Sequence, residues 1–195
     1  MEERGLKLSD EKTVITNIND GFDFLGWNFR KFKEKLLIQP SRKSKQKVTK
    51  SLSRTVKYYH EASQELLIIK LNQITRGWAE YHHCVCAKKT YALIDHRLWE
   101  MLWKWAKRRH PRKGKKWIKN RYWHPKGNRE WSFRTDKAIL YQMMDMPIVR
   151  IRSLDLKKNP FLDSEYFEHR RKQHKKDKET AYLSSTAALS GYYAL

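Results

Sequence analysis

From Met101 to Arg129 the chain carries twelve lysines or arginines and no aspartate or glutamate. Trp117, Tyr122, Trp123 and Trp131 are interleaved with or follow these charges. Lysine and arginine neutralise phosphates and release their counterions, so such a block favours a polyanion in a salt-dependent way. Flat indole and phenol rings stack on unpaired bases, and guanidinium planes do the same. Lys104, Lys107, Arg108, Arg109, Arg112, Lys113, Lys115 and Lys116 are the group expected to contact phosphate, with His110 and Trp117 among them. A second basic run lies upstream: between Arg42 and Lys57 there are seven basic residues and no acidic one. Arg42, Lys43, Lys47, Lys50 and Arg54 are its candidates. The plainer reading makes the tryptophans core and the charges a solvated face; Met101 and Trp105, at helical spacing, fit it.

Other chemistries find no complete set of residues. His82-His83-Cys84-Val85-Cys86 has metal-ligating types, but the spacing suits no zinc finger or knuckle. On a helix, Cys84 and Cys86 point about 200° apart and cannot share an ion, so small buried thiols are the expectation. Glu61, Glu65, Glu80, Asp95 and Glu100 are scattered at spacings that suit ion pairs. No paired aspartates of a two-metal site, glycine-rich phosphate loop, serine elbow or His-Glu-x-x-His stands in the sequence. No catalytic residue, metal site or cofactor is assigned.

Composition agrees. The 195 residues carry 43 basic and 21 acidic side chains, a net charge of +22, which points to nucleic acid ahead of an anionic membrane surface. No run approaches the ~18 apolar residues of a membrane span, and residues 1–10 lack the apolar core of a secretory signal. Two cysteines two residues apart make no disulfide scaffold and fit a reducing, cytoplasmic setting.

Elements must position these residues. Residues 5–39 read as β, with Val14, Thr16 and Ile18 alternating, Asn19-Asp20-Gly21 as a hairpin signal, and Phe22 and Phe24 on the next strand. Gly26 suggests a bulge or a close approach, and Lys33-Glu34-Lys35 a turn into Leu36-Leu37-Ile38. A first helix is expected over roughly 44–59, capped by Ser41 or Ser44. A second, roughly 64–86, carries the stripe Leu67, Leu71, Ile74, Trp78, Tyr81, Val85. Gly77 inside it costs ~1 kcal/mol against alanine, which predicts a close neighbour there. A third helix spans roughly 91–109, with Ile94, Leu98, Met101 and Trp105 on its core face. Short strands are expected within 138–151.

Several blocks then stand out in order. Gly5-Leu6-Lys7-Leu8-Ser9, Glu11-Lys12-Thr13 and Gly21-Phe22-Asp23-Phe24-Leu25-Gly26-Trp27 resemble the end of the reverse-transcriptase region in bacterial group II intron-encoded proteins. Lys70-Leu71-Asn72, Arg76-Gly77-Trp78-Ala79, Tyr81-His82 and Lys88-Lys89-Thr90 resemble the maturase-specific segment, called domain X or the thumb. Asp95-His96, Leu102-Trp103-Lys104-Trp105-Ala106, Lys107-Arg108-Arg109-His110-Pro111, Gly114-Lys115-Lys116-Trp117 and Trp131-Ser132-Phe133 continue the resemblance, which covers roughly residues 2–180.

The resemblance implies an α+β chain. Residues 1–40 would be the β-hairpin that ends a palm, 41–112 a three-helix thumb or X domain, and 113–180 a small basic DNA-binding-like appendix with short strands. Residues 181–195, uncharged and rich in Ser, Ala and Tyr, match nothing and are expected to lack order. Phe24, Leu25, Gly26 and Trp27 match the primer grip, and Lys12 the lysine of the last palm motif. Arg76, Lys88 and Lys89 would add RNA contacts at the ends of the second helix. The implied function is binding of intron RNA and assistance to its splicing, with a DNA target as a further partner. The polymerase metal site with its Tyr-x-Asp-Asp hairpin and the cysteine pairs of an HNH nuclease are absent, so no enzymatic activity is implied for the chain alone. Gln73 stands where many members have proline, and Cys84 and Cys86 replace commoner residues. Two alternatives stay open: half of a split polymerase completed by a separately encoded fingers–palm fragment, and a truncated remnant without function.

Overall fold

Two serines set where the helices begin. The Ser41 hydroxyl accepts the N–H of Ser44 (3.1 Å) and the Ser63 hydroxyl that of Leu66 (3.2 Å), each satisfying a donor the first helical turn leaves free. Helix α1 therefore spans Arg42–Tyr58 and α2 spans Gln64–His82. The computed structural model describes residues 14–127 and 129–190, the last six by backbone alone. Before α1 stands a three-stranded antiparallel sheet of β1 (Phe22–Phe24), β2 (Trp27–Phe32) and β3 (Lys35–Pro40), in that spatial order. After α2 come α3 (Lys88–Arg109), α4 (Lys115–Tyr122) and the hairpin β4 (Trp123–Lys126) and β5 (Arg129–Phe133). A 3-10 turn at Met143–Asp145 and the long helix α5 (Ser164–Ser190) follow. The fold is α+β.

The core lies between α1, α2 and α3. Val48, Leu52 and Val56 of α1 face Leu67, Ile68 and Leu71 of α2 and Tyr91, Ile94, Leu98, Leu102 and Trp105 of α3. Each fully buried aliphatic side chain contributes roughly 1.5–3 kcal/mol of transfer free energy. Along α2 the fully buried set is Leu67, Ile68, Leu71, Thr75, Ala79 and His82; the expected Ile74 and Trp78 are half-buried and Tyr81 is exposed. The stripe runs straight along the helix at 3.6 residues per turn, but the buried face is centred on the Ile68, Thr75 and His82 side of it, which leaves Ile74, Trp78 and Tyr81 at the flank beside α1. The helix also stops at His82, short of residue 86. The Val85 N–H turns back to the His82 carbonyl, and the Cys86 N–H donates to the Ile38 carbonyl (2.9 Å), pulling the chain onto β3.

The sheet differs from expectation at its first turn. Phe24 pairs with Trp27, so Leu25-Gly26 is the two-residue hairpin loop, with φ of 47° and 82°. Positive φ at both positions matches the right-handed twist of the strands, and Gly26 takes it without steric cost. Asp20-Gly21 forms a separate turn before β1, and Val14 to Asn17 form no strand. Gly21 is where chains come close: a Cβ there would lie 3.0 Å from the Arg30 Cβ and the Phe29 carbonyl. Lys12 and the Gly5–Ser9 block lie outside the described residues.

Polar side chains of the helices capture the segment after β5. Asn72 donates to the Ile139 carbonyl (2.8 Å) and accepts the Tyr141 N–H (2.7 Å). The Asp95 carboxylate accepts the N–H groups of Met143 (3.1 Å) and Met144 (2.9 Å). These N–H groups are thus taken by side chains, and only a single bridge, Arg134 to Ile139, forms where short strands were expected. Helix α5 lies back on α2, where Glu80 accepts from Lys178 and from the Tyr182 hydroxyl (2.9 Å). Residues 181–190, expected to lack order, continue α5 as helix. Alanine and leucine favour helix, and no glycine or proline intervenes before Gly191.

Candidate nucleic-acid interface

Helix α1 presents Lys43, Lys47, Lys50, Arg54 and Lys57 at spacings of 4, 3, 4 and 3, a single stripe opposite its buried Val48, Leu52 and Val56. All five are exposed, as is Arg42. At 1.5 Å per residue the stripe is about 21 Å long. The first turn of α1 holds no acid, although the helix dipole there favours anions. Arg42 and Lys43 thus stand where the dipole disfavours them, so the stripe is not arranged for helix stability.

A second cluster forms at the end of α3 and in the connection to α4. Lys104, Lys107, Arg108, Arg109, Arg112, Lys113, Lys115 and Lys116 are all exposed. Lys107, Arg108 and Arg109 occupy the last turn of α3, where the dipole does favour cations. Two members also fasten the fold. The Arg109 guanidinium lies 4.6 Å from the centre of the Trp105 ring and donates to the His60 and Ala62 carbonyls, closing the loop between α1 and α2. His110 is half-buried and its Nε2 is 2.7 Å from the Tyr122 hydroxyl. Trp117 is 40% exposed, packs edge-on to His110 and has the Lys113 ammonium 5.4 Å from its ring centre.

A cleft of about 390 Å³ joins the two clusters. Val56, Met101 and Trp105 line it together with Lys57, Glu61, Arg108 and Arg109. The remaining candidates are spread more widely. Arg76 is exposed and lies over the Tyr141 ring (4.7 Å). Lys88 donates to the Met144 carbonyl (2.7 Å), and burial lowers its pKa. Lys89 lies beside it on α3, next to Arg150. Among the described residues, none of the ion pairs found involves the α1 stripe or the cluster at the end of α3.

The aromatic residues divide. Trp123 and Tyr122 are buried and belong to the core, whereas Trp131 is 43% exposed. Trp123 packs against Trp99, Trp103 and Trp131, with ring centres 5.3–6.4 Å apart. The Lys119 ammonium lies 5.8 Å from the Trp131 ring. Of the interleaved aromatics, Trp117 and Trp131 therefore offer accessible faces.

Phe24, Leu25, Gly26 and Trp27 sit at the first hairpin turn, and that turn is docked on the helices. The Tyr81 hydroxyl donates to the Leu25 carbonyl (2.5 Å), and the Ser41 N–H to the Gly26 carbonyl (2.9 Å). The Trp27 indole N–H donates to Nδ1 of His82 (3.0 Å), which assigns the imidazole proton to Nε2, 3.0 Å from the Ser44 hydroxyl. That hydroxyl also accepts the Trp78 indole N–H (3.1 Å). His82 is fully buried, and burial drives its pKa down to about 4. Both of its nitrogens are committed, so it is a neutral pin between the sheet, α1 and α2. Cys84 is half-buried, and burial raises its thiol pKa, which makes it a poor nucleophile. Phe22 and Phe24 remain exposed on the sheet.

Sequence reasoning missed the pinning roles of His82, Ser44, Asn72 and Asp95. The one signal was polar residues set into or beside an otherwise apolar helical face. No helix among the described residues is long and apolar enough to cross a membrane. No curated protein sequence matches the chain. Residues 42–123, from the first residue of α1 to the first of β4, match the family described as group II intron, maturase-specific domain. The helices that bear both basic clusters thus match the group II intron maturase-specific domain, which supports a maturase-type role in intron splicing.

Proposed function

We propose that the chain binds group II intron RNA directly and shifts it toward its splicing-competent fold. The observation that carries this is the pair of exposed cation clusters on α1 and at the end of α3, without carboxylate partners, inside the maturase-specific domain. Splicing is RNA chemistry, and the protein supplies differential affinity for the active fold. Phosphates engage Lys43, Lys47, Lys50, Arg54, Lys104, Lys107, Arg112, Lys113, Lys115 and Lys116; Trp117 offers a stacking face. The chain acts as a binding module without an active site of its own, in the cytoplasm where its two thiols stay reduced. A filter-binding titration against a group II intron transcript and an unrelated RNA of equal length, at two salt concentrations, tests this. Tighter intron binding that survives higher salt is expected; equal binding that collapses with salt refutes specific recognition and favours a remnant.

A second reading is favoured by one observation. Phe22, Phe24 and Leu36 share a sheet face and are 42–58% exposed. Such a patch suits a protein partner, and half of a split polymerase docking a fingers–palm fragment would bury it. Co-purification with such a fragment and recovery of RNA-directed DNA synthesis would support this reading, and Phe24→Asp should abolish both. The basic region after residue 112 would then meet the DNA target.

A further inference from the structure

Gly77 lies in the interior of α2 on an exposed side of the helix. The sequence predicts a close neighbour there, yet a Cβ added to Gly77 would meet no atom within 4 Å. Its φ is not positive, so no backbone conformation requires glycine either. A mid-helix glycine weakens a helix relative to alanine because it loses more conformational freedom on folding. Within this chain the glycine therefore carries a cost with no structural return.

What it leaves is a gap in a groove. Between α1 and α2 runs a cleft of about 380 Å³, lined by Ser44, Lys47 and Ser51 on one side and Ile74, Gly77 and Tyr81 on the other. Lys47 belongs to the exposed α1 stripe, so one wall of the groove continues into a row of cations without carboxylate partners. The other wall has no side chain at residue 77. A groove that is cationic along one side and open to helix backbone at its middle fits one sugar–phosphate strand. In such a groove phosphates would face Lys47 and its neighbours, and a ribose would pass over Gly77. Glycine is the residue that lets a ligand approach backbone this closely.

We propose that Gly77 is kept without a side chain so that a strand of bound RNA can lie in the α1/α2 groove. This rests on the RNA-binding reading above and assigns part of that binding to a specific place. The test uses the full chain, a fluorescein-labelled RNA hairpin followed by anisotropy, and thermal melts. Four proteins are compared: the unmutated chain, Gly77→Ala, Gly77→Leu, and a variant with Lys43, Lys47, Lys50 and Arg54 replaced by glutamine. Gly77→Ala is expected to melt about 2–4 °C higher, as relief of a glycine in a helix predicts, and to bind the hairpin severalfold more weakly. Gly77→Leu is expected to stay folded and bind about tenfold or more weakly, comparable with removing phosphate-neutralising charges. A Gly77→Ala chain that melts lower would show a structural need for the glycine and overturn the proposal. A folded Gly77→Leu chain that binds as the unmutated one does, while the glutamine variant is weakened, overturns the groove and leaves RNA binding standing. No binding by the unmutated chain to the hairpin or to a group II intron transcript overturns both.

Discussion

Acidification should loosen the joint between the sheet and the helices through His82. The Trp27 indole N–H donates to Nδ1 of this fully buried imidazole, and its Nε2 meets the Ser44 hydroxyl. Protonating Nδ1 sets two donors against each other and places a charge in the core. Burial holds the folded pKa near 4, whereas an unfolded histidine titrates near ~6.5. A folded pKa below the unfolded one means that the stability is fully present above about pH 6.5. It is lost as pH falls toward 4, because the unfolded chain takes up the proton first. At ~1.4 kcal/mol per unit, this interval amounts to about 3 kcal/mol. Asp95 works the other way. Burial raises its carboxyl to about 6, despite two backbone N–H bonds, so its protonation stabilises the fold by a similar amount over much of the same range. The total stability of the unmutated chain can therefore look nearly flat. The informative quantity is the stability difference between the unmutated chain and His82→Gln, from urea denaturation at pH 7, 6, 5 and 4.5. The variant should be less stable at pH 7 by about 1–3 kcal/mol, for a buried hydrogen-bond network left incomplete. That gap should shrink steadily below pH 6.5. Parallel curves across the range would refute the reasoning, as would a Trp27 indole proton resonance that titrates near pH ~6.5, because the folded imidazole stays neutral until the pH nears 4.

Three further outcomes are expected. Replacing Lys43, Lys47, Lys50 and Arg54 with glutamine should flatten the dependence of log Kd on log salt by about 0.7–0.9 for each phosphate that is no longer neutralised; an unchanged slope would place the RNA elsewhere. Leu71→Ala, at a side chain with no exposure, should cost about 2–5 kcal/mol in urea unfolding, and a smaller effect would mean that the three-helix core can collapse around the gap. Asp95→Ala frees the Met143 and Met144 N–H groups and should expose the 134–150 segment to protease, while α1 to α3 keep their helical circular dichroism.

The legible part of the fold follows local rules. Apolar spacing along α1 and α3 reveals their buried faces, and Ser41 marks the start of α1 with its own hydroxyl. The basic runs are equally local, since charge without nearby acid is visible in the residue order alone. The turn at Leu25-Gly26 is obscured by the stronger Asp20-Gly21 signal, because local turn chemistry does not say which strands will pair. Residues 138–151 read as strand from apolar content, yet their N–H groups bond to Asn72 and Asp95 from far along the chain. The helical stretch of 181–190 is hidden by a change in composition that reads as loss of order.

Residue types and their spacing thus determined the α+β class, the three-helix core, the two basic clusters and the maturase resemblance. The helix faces and the basic clusters depend on residue types within one or two helical turns and on net charge, which can be read without distant partners. Only the tertiary structure decided which members of the clusters have second duties: Arg109 clasps a loop, His110 bonds Tyr122, and Arg76 covers Tyr141. It also decided that His82 is a neutral pin with both nitrogens committed, and that the space in front of Gly77 is empty. Burial and emptiness are set by what other elements bring to a residue, and a residue's own type does not carry that information.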